Sequence, residues 1–335
     1  MRRIHYKYQG VGAAIDSLLA GLSLYAVPIM IGIASLYALV VFESQYPFDG
    51  QTSLAFRVLE QANGSITPAE ALQKLDRKAP VWHLDTRLSE APFWISFSAN
   101  PAGKDVSPVF EIPSRHGIGI ECWKADGLTL LGKADRSGWT GAIKAVKTGF
   151  SIESPALRSE AKVLCKTEHT GPARITILQW PQSQYEISVQ KFHRNAGLLD
   201  GGLIVLALFV LVTAIINKEW MYVIFAAWLV ANLRLGALSA GWDTQWLEQS
   251  IPADWVSPMR KLTIAAYYIL TYALFRRLFE EDLKRLAHDR ILSVAQWTCL
   301  LILGYALILP FKYFLPPMWL TAAIGVLALM FLMGR

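Results

Sequence analysis

The residues of this 335-residue chain that could do chemistry are scattered, and none of them assembles into a catalytic set. Gly201-Gly202 is not followed by Asp-Glu-Phe and so is no nucleotide-cyclase signature; at the head of an apolar run, small residues serve close helix packing. His288-Asp289 has the form of a metal-phosphohydrolase dipeptide but stands alone in a charged stretch. His5, His83, His116, His169 and His193 show no metal-ligand spacing. No catalytic residue, metal or cofactor is therefore expected. The sequon Asn63-Gly64-Ser65 carries little meaning if the protein is bacterial.

The chemistry that is left is binding and pairing. Trp82, Trp94, Trp123, Trp139 and Trp180 are candidates for stacking a ligand such as a sugar ring, with packing inside the fold as the plainer role for any one of them. Cys122 and Cys165 fall in the same region and can form a disulfide if their Cα atoms come close enough, whereas Cys299 lies in an apolar run. Asp200 and Arg234 are ionisable groups inside apolar segments, where charge is costly unless paired or facing a polar cavity. The two can meet as a salt bridge that latches adjacent helices, or Arg234 can snorkel to lipid headgroups.

The elements that carry these residues are membrane spans around a globular insert. Mean hydropathy is +0.33 with 53% hydrophobic residues, too apolar for a soluble domain and too charged for a continuous bundle. Residues 1–17 form a basic N-terminus and Leu18–Val41 an uncharged run, so 18–42 reads as a retained anchor rather than a cleaved signal. Five further spans follow in residues 196–335: Leu198–Ile216, Trp220–Ala240, Leu262–Phe275, Val294–Phe311 and Met318–Met333. The net charge of +6 clusters beside these runs, with Arg2, Arg3 and Lys7 before the first and Arg276, Arg277, Lys284, Arg285 and Arg290 between two later ones. That pattern is a topology signal rather than a nucleic-acid footprint. It places both ends in the cytoplasm and residues 43–195 outside it, with Trp242, Trp246 and Trp255 at the interface.

Residues 66–76 carry a helix signature, Thr67 as N-cap, Pro68 at the first position and Glu70 completing a capping box. Beyond Lys78 the pattern turns to strands. Phe93, Ile95 and Phe97 alternate with Trp94, Ser96 and Ser98. Ile118–Cys122, Leu128–Leu131, Lys147–Ile152, Ala161–Lys166, Arg174–Trp180 and Tyr185–Gln190 follow, separated by turns such as Asp126-Gly127. The expected fold class is a mixed membrane protein: an all-α transmembrane bundle and an extracytoplasmic, jelly-roll-like β-sandwich over about 80–190.

The order PFWISF, EIPSRHGIGIECWKADG, GFSIESPALRSEAKVLCKTEHTG and ITILQWPQSQY, running directly into apolar helices, resembles bacterial seven-transmembrane receptors with diverse intracellular signalling modules. Residues 66–190 look like the type-2 extracellular jelly roll of that family. The family has a cleaved signal peptide and seven spans after the domain, whereas this sequence reads as an anchor and five. The resemblance therefore implies two more spans and an output domain beyond Arg335: a GGDEF diguanylate cyclase, a histidine kinase or a phosphatase, with cyclic di-GMP synthesis favoured. It also implies a homodimer, since that cyclase chemistry joins two nucleotides held by two subunits. The expected partners are the bacterial inner membrane and a periplasmic carbohydrate or protein ligand. A different class of function, a membrane subunit of an envelope polysaccharide or transport system, would need a polar path through the spans, and only Asp200 and Arg234 offer one.

Overall fold

The computed structural model of the chain describes residues 29–30, 33, 51–61, 64–99, 108–153, 157, 161–241, 245–246, 249–250, 255–280 and 289–333. The chain divides into two compact units, residues 1–51 and 52–335. Of the first, only Ile29, Met30 and Ile33 are described, helical and exposed; the remainder of the expected anchor, His288 of the His288-Asp289 pair and Trp242 lie outside the described residues.

The second unit opens with a β-domain. Its strands are β1 (Thr52–Ser53), β2 (Phe56–Glu60), β3 (Leu84–Asp85), β4 (Phe93–Ala99), β5 (Pro108–Ile112), β6 (Gly117–Lys124), β7 (Thr129–Asp135), β8 (Trp139–Gly141), β9 (Ile143–Val146), β10 (Gly149–Ile152), β11 (Ala161–His169), β12 (Arg174–Ile175) and β13 (Leu178–Pro181). They pair antiparallel into a five-stranded sheet, β1-β13-β5-β10-β9, and a six-stranded sheet, β2-β4-β11-β6-β7-β8, with β12-β3 as a small third. Period-two alternation supplies the core between them. Phe93, Ile95 and Phe97 from one sheet and Phe110, Ile112, Phe150 and Ile152 from the other belong to one buried cluster. The sheets begin at Thr52, well before residue 80 where the sequence first reads as strand.

Helix α1 (Pro68–Asp76) has the expected cap: Thr67 Oγ1 accepts from the Glu70 amide, and the Glu70 carboxylate accepts from the Thr67 amide. It lies on the outer face of the six-stranded sheet, where Ala71 and Leu75 pack with Trp94 and Leu164. Both faces of β4 are therefore covered, which is why FWISF is nearly continuous in apolar residues. Cys122 and Cys165 sit opposite each other on β6 and β11, Cα atoms 4.1 Å apart, and are joined by a disulfide.

The helices are α2 (Gln182–Asn217), α3 (Trp220–Ser239), α4 (Val256–Leu278), α5 (Asp289–Ile308) and α6 (Phe311–Met333), with a small ladder of β14 (Gln245–Trp246) and β15 (Gln249–Ser250) between α3 and α4. Helices α2 and α3 are each long and apolar enough to cross a membrane, and Trp297–Ile308 of α5 is a shorter apolar stretch. Along α2 large apolar side chains such as Val205, Phe209 and Ile216 are exposed, a surface suited to lipid. Val210, Ala226 and Leu229 pack α2 on α3; Trp228 stacks on Tyr267 and donates to Thr271 Oγ1 at 2.9 Å, joining α3 to α4. Ala265, Ile302, Phe314 and Met318 pack α4, α5 and α6 together.

Two expectations about elements are corrected. Tyr185–Gln190 is not a strand but part of the first turns of α2, which begins sixteen residues before Leu198. The alternation in YEISV is coincidental to helical spacing, since it is Tyr185 and Ser188 that are buried, three residues apart. Helix α6 likewise starts at Phe311 and contains Pro316 and Pro317 rather than beginning after them. Each proline removes a donor, but the burial of Phe311, Phe314, Leu315 and Met318 holds the early turns in place.

Candidate functional site

The β-domain meets the helices along a seam built from cationic side chains and backbone carbonyls. Its centre is Arg136, in the turn after β7. Its Nε donates to Gly117 O at 2.7 Å, its Nη2 to Ser114 O at 2.9 Å and Thr148 O at 2.8 Å, and its Nη1 to Gly241 O at 3.3 Å. The first three carbonyls belong to β-domain loops, whereas Gly241 ends the α3 segment. The guanidinium also lies over the Phe150 ring, 5.3 Å from its centroid. One planar fork thus fixes three loops to each other and to a helix end.

The second tie comes from the helical side. Arg260, near the start of α4, is buried, and its Nη2 donates to Arg115 O at 2.9 Å while Nη1 reaches Thr170 O at 3.4 Å. His116 adds a contact from Nδ1 to the same Thr170 carbonyl at 3.0 Å, and Arg115 Nε lies 3.3 Å from its Nε2. A carbonyl can only accept and the guanidinium only donates, so the ring is the neutral Nδ1–H tautomer in this arrangement. Next to Arg260, Lys261 donates to Leu309 O at 2.6 Å and caps the carbonyl end of α5.

Close backbone approach completes the seam. Gly171 has φ +88°, and a Cβ there would stand 2.9 Å from the Phe311 ring of α6. Gly241 has φ +78°, and a Cβ would meet Arg136 Nη1 at 2.8 Å and Lys147 O at 2.9 Å. Both positions demand glycine for conformation and for space. A third contact is Leu88, which packs against the α4–α6 cluster. It sits at φ +70° after Arg87 at φ +50°, in a turn closed by Ser89 N to Thr86 O at 2.9 Å. Two consecutive left-handed residues without glycine are strained, and here they aim an apolar side chain at the helices.

The entry of α2 is tied down separately. On the outer face of the five-stranded sheet, Lys147 Nζ lies 3.2 Å from both carboxylate oxygens of Glu111, with side-chain exposures of 10% and 4%. The same ammonium sits 4.7 Å from the Trp180 ring and 4.9 Å from the Tyr185 ring. Tyr185 belongs to the first turns of α2 and Trp180 to β13, so this cage clamps the helix to the sheet. Burial pushes the Glu111 carboxyl above its usual range and the Lys147 ammonium below its own, each opposed by the partner's charge.

Near the seam, His169 is buried at the end of β11, with Nε2 3.1 Å from Thr167 Oγ1. Burial, reinforced by the nearby charge of Arg136, lowers its pKa from 6.5 to about 4. The folded protein therefore holds it neutral while the unfolded chain protonates it near pH ~6.5. Its contribution to stability is complete above that value and is lost as pH falls toward about 4. The full effect is on the order of 3 kcal/mol. Denaturant unfolding across that window should show the decline, and His169→Gln should flatten it; equal slopes in both proteins would refute the assignment.

The aromatic ligand candidates are dispersed. Trp94 and Trp180 are each 2% exposed, the first under α1 with its indole N–H on Gln61, the second in the lysine cage, so neither offers a face to a ligand. Trp123 is half-buried and stacked on Trp94 at 5.6 Å. Trp82 and Trp139 are exposed but belong to opposite edges of the six-stranded sheet, beside β2 and on β8. Asp200 and Arg234 do fall on adjacent helices: the Asp200 carboxylate lies 3.8 Å from where a Gly236 Cβ would stand, two residues from Arg234, and Arg234 is buried. Sequence reading missed Arg136, Arg260, Lys147 and Glu111 because each lies far in sequence from the group it binds. Only the glycines at 171 and 241 hinted at close approach. Among the described residues no group of three or more His, Cys, Asp or Glu side chains could hold a metal ion.

A β-sandwich is seated on apolar helices, two of them long enough to span a bilayer, an arrangement that points to a membrane protein with a folded domain outside its helices. Residues 195–334 match the family model described as 7TM diverse intracellular signalling, which supports a place among seven-transmembrane receptors and points to a transmembrane sensory module. No curated protein matches the chain.

Proposed function

We propose that the chain is the input module of a bacterial signalling protein, with the β-domain outside the cytoplasmic membrane and both ends of the chain inside. A ligand or protein partner changes the pose of the β-domain on the helices, and the helices carry that change to a cytoplasmic output. The observation that carries this reading is the seam, where buried Arg260 of α4 and half-buried Arg136 of the β-domain each bind backbone carbonyls across the junction. A domain held only by a flexible linker could move without the helices responding; one held by directional bonds at two helix ends cannot. The resemblance to sensory receptors favours a GGDEF diguanylate cyclase as the output, acting as a dimer, with a histidine kinase as the competing output. The β-domain fits the jelly-roll class, and Asp200 and Arg234 act as a latch between α2 and α3 that responds to the same movement.

The test measures cyclic di-GMP in cells that carry the whole reading frame with Arg260→Gln or Asp200→Asn. Arg260→Gln keeps hydrogen-bonding capacity but loses the charge and the fork, and should shift the cyclic di-GMP level by about fivefold at equal membrane abundance, the scale of coupling expected of ~1 kcal/mol. Asp200→Asn should move it in a measurable direction as well. Levels equal to the parent in both variants would discard the relay, and a change in phosphotransfer instead would move the output to a kinase.

A further inference from the structure

A cleft of about 380 Å³ opens on the outer face of the six-stranded sheet, on the part that α1 leaves uncovered, and its far wall is the start of α4 at Val256 and Ser257. Cross-strand register sets its chemistry. One row across β11, β6 and β7 reads Lys166, Glu121, Lys133, and the next reads Glu168, Gly119, Asp135. Gly119 is thus a gap between two carboxylates. A Cβ built there would stand 3.8 Å from Ala134 O and 3.9 Å from Glu168 Oε2, ordinary van der Waals contact, so the gap admits a small group without close packing. Two residues further along, roughly 6.8 Å at the usual strand rise, stand the two ammonium groups. Glu121, Asp135 and Glu168 are matched in number by Lys133, Arg136 and Lys166, so the lining is neutral overall; the row of two lysines flanking Glu121 is net positive and the row of two carboxylates flanking Gly119 is net negative.

The groups are only partly committed to one another. Lys166 and Glu168 lie 3.3 Å apart with both side chains substantially exposed, and such a pair is weak enough for a ligand to replace. Asp135 Oδ1 is held by Ser137 and Gly138, which fixes the carboxylate in position beside the gap. A neutral polyol would gain nothing from charge separated in this way, whereas a molecule with an ammonium at one end and an anion at the other would satisfy both rows. We propose that this cleft is a binding site for a small zwitterion, an amino acid or dipeptide, with its ammonium over Gly119 between Glu168 and Asp135 and its carboxylate toward Lys133 and Lys166.

The site deepens the sensory reading and rests on it for its consequence. Arg136 and Thr170 line the cleft, and the same two residues bond to Gly241 and accept from Arg260. A ligand that bridges the sheet and Ser257 therefore presses on the seam itself.

Binding is measured without reference to output, by calorimetry on the full chain in lipid nanodiscs. The probes are the common α-amino acids, γ-aminobutyrate and diglycine, with glucose and maltose as uncharged controls. At least one zwitterion should bind with saturation, and the sugars should not. Gly119→Val has room for its side chain and suits a strand, so the protein should keep its thermal midpoint and lose binding by about tenfold or more. Lys133→Glu should weaken it by a similar factor. Absence of binding for every zwitterion, binding of sugars in their place, or unchanged affinity in Gly119→Val would each overturn the site. The Arg260 variant judges the relay separately, since a chain that binds the zwitterion but gives constant output fails the relay and keeps the site.

Discussion

Glu111→Gln should destabilise the 52–335 unit by about 3–5 kcal/mol, because it leaves the Lys147 ammonium without its counter-charge in a largely buried site. Both side chains are almost fully buried, and burial moves the two pKa values in the directions that disfavour their charged forms. Mutual attraction therefore does not fully offset the loss of hydration. Removing one charge leaves the other with only two aromatic rings for company. Removing both is a different matter: Glu111→Leu with Lys147→Met should recover most of the stability, as apolar replacements of buried pairs often do. A double-mutant cycle by thermal unfolding in detergent measures the coupling. Additive losses in the double variant would show that the two groups do not act as a pair. The consequence reaches the helices, since Tyr185 in the cage lies at the start of α2, and the single variants should also loosen exchange protection over its first turns.

Arg136→Lys should cost about 3 kcal/mol although it preserves the charge. The guanidinium serves the carbonyls of Ser114, Gly117, Thr148 and Gly241 with donors fixed in one plane. An ammonium on a flexible stem can satisfy only part of that set, and each carbonyl left without a donor costs about 1–3 kcal/mol if water cannot replace it. Arg136 is only half-buried, so water will recover some of the loss and the lower part of the range applies. For a unit of this size the thermal midpoint should fall by roughly 6–12 °C. Hydrogen exchange should quicken at 114–117, 148 and 241 together, because one side chain holds all three segments. A midpoint within a degree of the parent, with exchange unchanged, would show that the fork is not what joins them.

Local chemistry made much of the architecture readable in advance. The capping box at Thr67–Glu70 forms because it needs only residues within one turn. The alternation in Phe93–Phe97 told which side chains meet the core, since strand geometry is itself of period two. Apolar length alone identified α2 and α3 as helices able to span a bilayer. Where local pattern was ambiguous it misled: YEISV alternates, yet the docking of Tyr185 and Ser188 on the five-stranded sheet makes it helix. Trp94 falls on the face opposite the core as its position implies, but whether that face was open depended on α1, twenty residues away, lying across it.

The candidate site belonged almost wholly to tertiary structure. The residue types were visible, but which arginine meets which carbonyl is a matter of segments separated by up to 145 residues, as for Arg260 and Arg115. A backbone carbonyl carries no sequence signal, so no motif could mark Ser114, Thr148 or Gly241 as partners of Arg136. The same holds for the cleft, because the rows of Lys166, Glu121 and Lys133 and of Glu168, Gly119 and Asp135 exist only once three strands have taken their register. Sequence determined that this chain has a β-rich domain and apolar helices, because burial and hydrogen bonding within a segment are written in its own residues. How the domain grips the helices was decided by the fold, because that grip is made between groups that only the folded chain brings together.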